Sequence, residues 1–544
     1  MKKNKNILLL ALILISTLII FFFYQYNLNH KNKPNIVIIL TDDLGYSDIG
    51  IYGSEIHTPN IDNLANNGIR YTNFYNTGRC WPTRAALLSG HYPQKINRDV
   101  ISDESIVASK KNPFGKRPNW AILLPQYLEN FGYTNFFSGK WHIDGKPIDN
   151  GFHKAYRLID HDRHFDPKNH TQHGIPLEEI KENENYYSTT EITNHAIRYI
   201  NDNHFNNKSN PFFLYLAYTA PHFPLQANEE DIKIYNGSYN SGWDSIRESR
   251  FKKQKEMGMI IGDLSEVNRS LGPPYEHKDD LVMLGENEIN LPISWNKLTP
   301  QQKEFQSKKM EIHAAMVHRI DLEIGKVIDT LSENNILENT MIIFISDNGA
   351  SSEIMIRGNG HDPDAKAGSK NSFLSLGPGW SSVSNTPFRK HKTWVHEGGI
   401  ATPLIISWKE KIKNTGTIKT ERGHVIDIVP TILDLINENP IKIQKEQNFP
   451  SFDGVSLASS VLSAEGNINR YDTRSLWFHH DGHKAIIKNN YKLVLERGSD
   501  WELYNLENDR AETNDIASGN PIKLKKLIKE YENITEYLGN YAKE

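Results

Sequence analysis

The chain has 544 residues, 38% of them apolar and 25 of them prolines spread along its length, which excludes a disordered chain and allows one large core or two unequal ones. Its 62 basic and 66 acidic residues leave a net charge of −4, and the only basic tract is at the extreme N-terminus, so no nucleic-acid partner is expected. An anionic substrate would have to be held by a local cluster of side chains.

The first element is MKKNKN followed by ILLLALILISTLIIFFFY, Ile7 to Tyr24, an uncharged run long enough to cross a bilayer with lysines on its inner side. It predicts export to a periplasmic or cell-surface location. No small-x-small pattern follows it and no nearby Cys could take a lipid, so an uncleaved membrane anchor and a cleaved signal peptide both stay open. Residues 1–33 are set apart as this segment, and a catalytic domain is expected over 34–463.

Within that domain, short β-branched or aromatic runs are each followed by a polar cluster. NIVIIL (35–40) precedes TDD, TNFFSG (134–139) precedes KWH, FFLYLAYTA (212–220) precedes PH, and MIIFIS (341–346) precedes DNG. Helical spacing lies between them, at Ala121 to Asn130, Glu191 to Asn201 and Ile312 to Asn334. The alternation predicts an α/β fold: a large mixed, mostly parallel sheet flanked by helices. Ligands gather at the carboxyl ends of such strands, which puts the four polar clusters on one rim.

Residues 227–300 are polar and show no sustained period, so they are read as an excursion over that rim, with Trp243, Tyr275 and Trp295 either stacking on sugar rings or forming local core. After Pro450 the runs SLWFHH, HKAIIKN, YKLVLERG and WELYNLENDRAETNDIA predict a small antiparallel sheet, and Lys523 to Leu538 a terminal helix. Together they form a smaller C-terminal α+β domain over 464–544.

Cys80 is the sole cysteine. It cannot form an internal disulfide, and outside the cytoplasm an unpaired Cys is a liability unless it is buried, modified or used. Pro82 suits a first helical turn, Thr83 to Leu88 continue it, and Ser89-Gly90 ends it. Cys80 is therefore expected at a helix N-terminus, where the backbone favours negative charge, with Arg84 on the same face. The plain alternative is an inert buried Cys beside a surface Arg. A tyrosine-phosphatase loop is disfavoured, because it needs a longer Cys-to-Arg spacing than the three residues found here.

Cys80-Trp81-Pro82-Thr83-Arg84 resembles the C-x-P-x-R signature of the type I, formylglycine-dependent sulfatases of the alkaline phosphatase superfamily. The similarity extends from about Asn35 to the segment Trp501 to Ile516 and includes NTPFRKHKTWVHEGGIATP (385–403). GHDPD (360–364) and LGPGW (376–380) are similar to bacterial arylsulfatases of this family. The resemblance implies that a maturation enzyme oxidises Cys80 to Cα-formylglycine, and that Asp42, Asp43, Asp347 and Asn348 join residue 80 in binding calcium. Oxygen donors of this kind select a hard cation. Taken alone, Asp-Asp and Asp-Asn-Gly are often turns or caps, but clustered carboxylates repel unless a cation or proton lies between them.

The same resemblance assigns the remaining polar shell to Lys140, His142, His222 and Lys392, each of which by itself reads as a solvated or structural residue. It leaves His361, His391 and His396 as substrate contacts or structural hydrogen bonders. In the implied reaction, a hydroxyl of the hydrated aldehyde attacks sulfur with help from calcium, Arg84 and Lys140. His222 protonates the departing alcohol, Lys392 binds the sulfate and the bridging oxygen, and His142 takes a proton as sulfate is expelled. The expected activity is hydrolysis of sulfate monoesters, on sulfated carbohydrate or an aryl sulfate surrogate. Two alternatives stay open: a phosphonate or phosphate ester hydrolase on the same fold, and a non-catalytic, membrane-tethered binder of sulfated glycans.

Overall fold

The structure, a computed structural model, describes residues 33–100, 115–181, 185–206, 210–357, 360–463 and 474–541. The hydrophobic run Ile7 to Tyr24 lies outside the described residues, as do residues 464–473, where the smaller domain was expected to begin. Among those described, no helix is long and apolar enough to cross a membrane.

Among the described residues the large sheet has eleven strands: β1 (Asn35–Thr41), β2 (Ile69–Tyr75), β3 (Thr134–Gly139), β4 (Lys154–Leu158), β5 (His170–Gln172), β6 (Ile175–Pro176), β7 (Phe212–Ala217), β8 (Thr340–Ser346), β9 (Ala401–Ser407), β10 (Thr417–Lys419) and β11 (Gly423–His424). Their order is β10-β2-β9-β8-β1-β7-β3-β4-β5-β6, with β11 also on β2. β4, β3, β7, β1 and β8 run parallel, whereas β9 is antiparallel to both its neighbours. The mixed, mostly parallel sheet expected from the sequence is present.

The central strands are continuous apolar runs because both sheet faces are covered. Val37 and Ile39 enter one core, while Ile36, Ile38 and Leu40 enter the other. The helices Ser188–Asn206 and Pro300–Glu333 pack on the first of these faces. The second helix begins well before the expected Ile312, at a Thr299 cap and Pro300. Its opening turns are polar, so an apolar period could not reveal them. The helix expected from Ala121 is shorter, Leu124–Glu129.

The segment 227–300 is more ordered than its sequence suggested. It holds the helices Glu229–Ile234, Gly242–Glu256 and Lys278–Leu284. In the long one the buried positions Trp243, Arg247, Arg250 and Gln254 form one helical stripe, but most of that stripe is polar. Arg250 reaches Asp48 at 2.7 Å and Glu55 at 2.8 Å, and Gln254 donates to the Tyr52 and Thr386 carbonyls. A period sought in apolar residues misses a face that docks through charge. Trp243 and Trp295 are core residues packed on each other and on Trp380, whereas Tyr275 is half-buried.

The C-terminal runs form the expected antiparallel sheet, β12 (Leu476–His480), β13 (His483–Lys488), β14 (Tyr491–Leu495) and β15 (Trp501–Asn505), covered by the helix Pro521–Tyr541.

Candidate active site

Register fixes where the polar clusters go. Thr41 of β1 pairs with Ser346 of β8, Leu40 with Ala217 of β7, and Gly139 of β3 with Ala217, so the carboxyl ends of four strands are level. The next residues are Asp42 and Asp43, Asp347 and Asn348, Lys140 to His142, and the loop reaching His222. β2 ends on the same rim and leads to Cys80. Antiparallel β9 begins there, so the loop 385–400 brings in Lys392.

Cys80 is the first residue of helix α1 (Cys80–Ser89), after an extended Arg79 at the cap. The Thr77 N–H donates to the Thr83 hydroxyl at 3.1 Å, which ties the incoming chain to the first turn. Gly90 ends the helix with φ 75° and its N–H on the Ala86 carbonyl, as its position after Ser89 predicted. Cys80 is buried, and burial pushes its thiol up against the pull of Lys140 and Lys392. A protonated thiol is a weak nucleophile.

Asp42, Cys80 and Asp347 each offer a ligand atom within 4.8 Å of the others, as do Asp42, Asp43 and His222. Asp43 Oδ1 accepts from Asn348 Nδ2 at 2.6 Å, and the Asp43 N–H donates to Asp347 Oδ1 at 3.2 Å. Lys140 pairs with Asp42 at 2.5 Å and Lys392 with Asp43 at 2.8 Å. Burial alone would raise the Asp42 carboxyl, but Lys140, His222 and Arg84 hold it well below its usual range. Burial and Asp42 push Asp347 up despite Arg84.

Arg84 shares the face of Cys80, as expected, but its fork is spent on the protein. Nε and Nη2 donate to Asp347 Oδ2 at 3.0 and 2.8 Å, and Nη1 to the Lys140 carbonyl at 2.7 Å. These contacts hold the Asp347 carboxylate and the Lys140 backbone in place around residue 80. Sequence reasoning also missed Glu353, a buried carboxylate 2.9 Å from Arg79 and 3.2 Å from Lys392. No local pattern marks it, since only the loop after Asn348 carries it back.

Three histidines line the site. His222 Nδ1 lies 2.6 Å from the Phe223 carbonyl and donates to it, which leaves Nε2 facing Asp43 at 3.7 Å. His142 has a left-handed backbone, φ 54°, and its ring packs on Trp81 and on His161, a residue the sequence did not single out. Burial first, then the nearby lysines, holds His142 and His222 well below the ordinary histidine value. His361 accepts from the Phe373 N–H, His391 bonds the Ser381 hydroxyl and His396 faces the Glu502 carboxylate at 3.3 Å.

Comparison with known proteins agrees with this arrangement. A family model described as Sulfatase matches residues 34–438, and one described as N-sulphoglucosamine sulphohydrolase, C-terminal, matches 388–537. The chain is similar to an uncharacterized sulfatase of Schizosaccharomyces pombe, 34% identical, covering 91% of this chain and 92% of that one. It is also similar to the arylsulfatase of Klebsiella aerogenes, 29% identical over 82% of this chain and 95% of that one. Among solved structures, Ps i-CgsB in complex with k-i-k-neocarrahexaose shares the fold, with TM-score 0.64, 24% identity and 92% of each chain covered. With the rim cluster and two family models in register along most of its length, the chain belongs to the sulfatase family, enzymes that hydrolyse sulfate esters.

Proposed function

We propose that this sulfatase is exported, depends on calcium, uses a nucleophile made from Cys80 by conversion to Cα-formylglycine, and acts on sulfate monoesters of carbohydrates. One observation carries the reading: strand ends far apart in sequence bring two aspartate-containing pairs around residue 80.

The donor set fits a hard cation. Asp42 Oδ1 and Asn348 Oδ1 are buried oxygens without a hydrogen-bond partner, an arrangement that costs stability unless something accepts their lone pairs. Asp42, Asp43, Asp347 and Asn348 would hold the ion, with residue 80 beside them. Bound there, calcium would supply positive charge to the oxygens of the sulfate group. The hydrated aldehyde at residue 80 would supply an oxygen nucleophile, which the buried, protonated thiol of Cys80 does not.

The other residues set charge and protons. Lys140, paired with Asp42, and Lys392, paired with Asp43 and Glu353, would supply positive charge to the anionic ester. His222 has Nδ1 committed to a carbonyl, so Nε2 is the nitrogen that gives a proton to the departing alcohol oxygen. An incoming anion offsets Lys392 and favours that protonation. His142 Nδ1 is buried and unpartnered, available to take a proton as sulfate leaves. The carbohydrate assignment is supported by the oligosaccharide held by the structural neighbour and by half-buried Tyr275 at the rim.

The test combines activity with chemistry at residue 80. The chain, co-expressed with a formylglycine-generating enzyme, should release sulfate from 4-nitrophenyl sulfate faster than it cleaves the matching phosphate or phosphonate. Chelation should remove this activity and calcium restore it. Mass spectrometry of the peptide spanning residue 80 should show sulfur lost and oxygen gained, and Cys80→Ala should abolish turnover with the fold intact. A faster phosphonate reaction, or full activity with unmodified Cys80, would sink the reading. Recovery of the full-length protein in the membrane or periplasmic fraction tests export.

A further inference from the structure

The inner site is matched in charge. Asp42 meets Lys140 and Arg84, Asp347 meets Arg84, Asp43 meets Lys392, and Glu353 meets both Arg79 and Lys392. Arg357 is a further cation at the mouth, half-buried, and among the described residues no carboxylate lies within ion-pair distance of it. Its guanidinium carbon is 5.0 Å from the centroid of the Phe223 ring, which stacks on His222 at 4.2 Å. Its Nε is 3.1 Å from Met355 Sδ, and among the described residues its two terminal nitrogens donate to no protein group.

The surroundings are those of a binding subsite. Phe223, Met355 and Phe373 form a small apolar cluster apart from the two main cores, with Tyr275 and Ile356 packed against it. Tyr275 also lies 5.6 Å from the Arg79 guanidinium, next to Cys80. Glu353 attracts Arg357 from beyond ion-pair distance and is already paired with Arg79 and Lys392, so an anion brought by the substrate is the partner its two terminal nitrogens can take.

We propose that Arg357 forms a subsite for a second anionic group on the leaving-group side of the substrate, a carboxylate or a further sulfate, with the apolar cluster against the sugar face. Preferred substrates are then sulfated sugars carrying at least two negative charges. A planar guanidinium fork matches either oxyanion with two parallel hydrogen bonds. This inference rests on the sulfatase reading above and names its substrate class.

The experiment compares the parent enzyme, Arg357→Ala and Arg357→Lys on a neutral hexose monosulfate, the same hexose disulfated, a sulfated hexuronate and 4-nitrophenyl sulfate. Arg357→Ala should lower kcat/KM on the doubly charged substrates about 10- to 100-fold, the scale of a lost charge-assisted pair, mainly through KM. The singly charged esters should lose far less, and Arg357→Lys should restore only part. The disulfate and uronate arms tell which anion is read. An equal loss on all four substrates would overturn the subsite.

A binding arm separates this inference from the activity. Calorimetry with the disulfated hexose and the sulfated hexuronate compares Cys80→Ala with Cys80→Ala/Arg357→Ala. Weaker binding in the double variant supports the subsite, and equal affinity overturns it, even if the parent releases no sulfate and the catalytic reading falls.

Discussion

His222 has one nitrogen donating to the Phe223 carbonyl and the other facing Asp43, so a single ring position remains for chemistry. If that position protonates the leaving alcohol, the need for it depends on the alcohol. His222→Ala should therefore cost about 100-fold or more in kcat on an alkyl sulfate but only a few-fold on 4-nitrophenyl sulfate, whose phenolate leaves without a proton. Parallel kinetics on the two esters check this, and equal losses would remove the acid role. Arg84 and Glu353 act differently, for their contacts are to other protein groups. Each fixes a partner: Arg84 the Asp347 carboxylate, and Glu353 the Lys392 ammonium.

The elements meet through the loop 385–400, which donates from Lys392 to the Ala350 carbonyl and from Thr393 to that of Gly78. Close approach here requires Gly349, where a Cβ would lie 1.9 Å from the Gly398 carbonyl oxygen. Gly349→Ala should force the loop away, cost about 1–3 kcal/mol in denaturant unfolding, and lower kcat well beyond that loss by misplacing Lys392. The C-terminal sheet clamps the same loop from outside. Lys492 on β14 is buried between Glu397 at 3.0 Å and Glu512 at 2.8 Å, while Glu496 takes Lys390 and the Trp394 indole. Lys492→Met leaves two buried carboxylates short of a cation, so a loss of about 3–5 kcal/mol in unfolding free energy is expected.

Across the whole molecule, burial holds several histidines neutral. His391 and His424 are pushed down to about 3 and His164 to about 4, chiefly by burial, with Lys390 and Arg247 adding to the effect on His391. Unfolded, each returns to the ordinary histidine value of 6.5, so below that pH the unfolded chain binds more protons than the folded one. Stability is then fully present above 6.5 and falls as pH drops toward 4, by on the order of 1–2 kcal/mol per histidine within the first pH units. Thermal midpoints measured across this window should decline steadily. A flat profile would show these histidines protonated in the fold.

The sequence by itself determined the strands, because runs such as NIVIIL and MIIFIS are too apolar to face water, and it determined the ends of those strands, because Asp, Lys and His follow each run. It placed Cys80 at a helix start, since Pro82 and Gly90 bracket that helix through backbone preferences that are local. Only the tertiary structure decided that Arg84 grips Asp347, that Glu353 and Arg357 join the rim, and that Trp243 and Trp295 are core. Partners in those contacts are as many as 274 residues apart, as for Arg79 with Glu353, and no local spacing encodes them. The long helix Gly242–Glu256 was hidden for a related reason: its buried stripe is largely polar, and a polar stripe looks like a solvated surface until its counter-charges are in place.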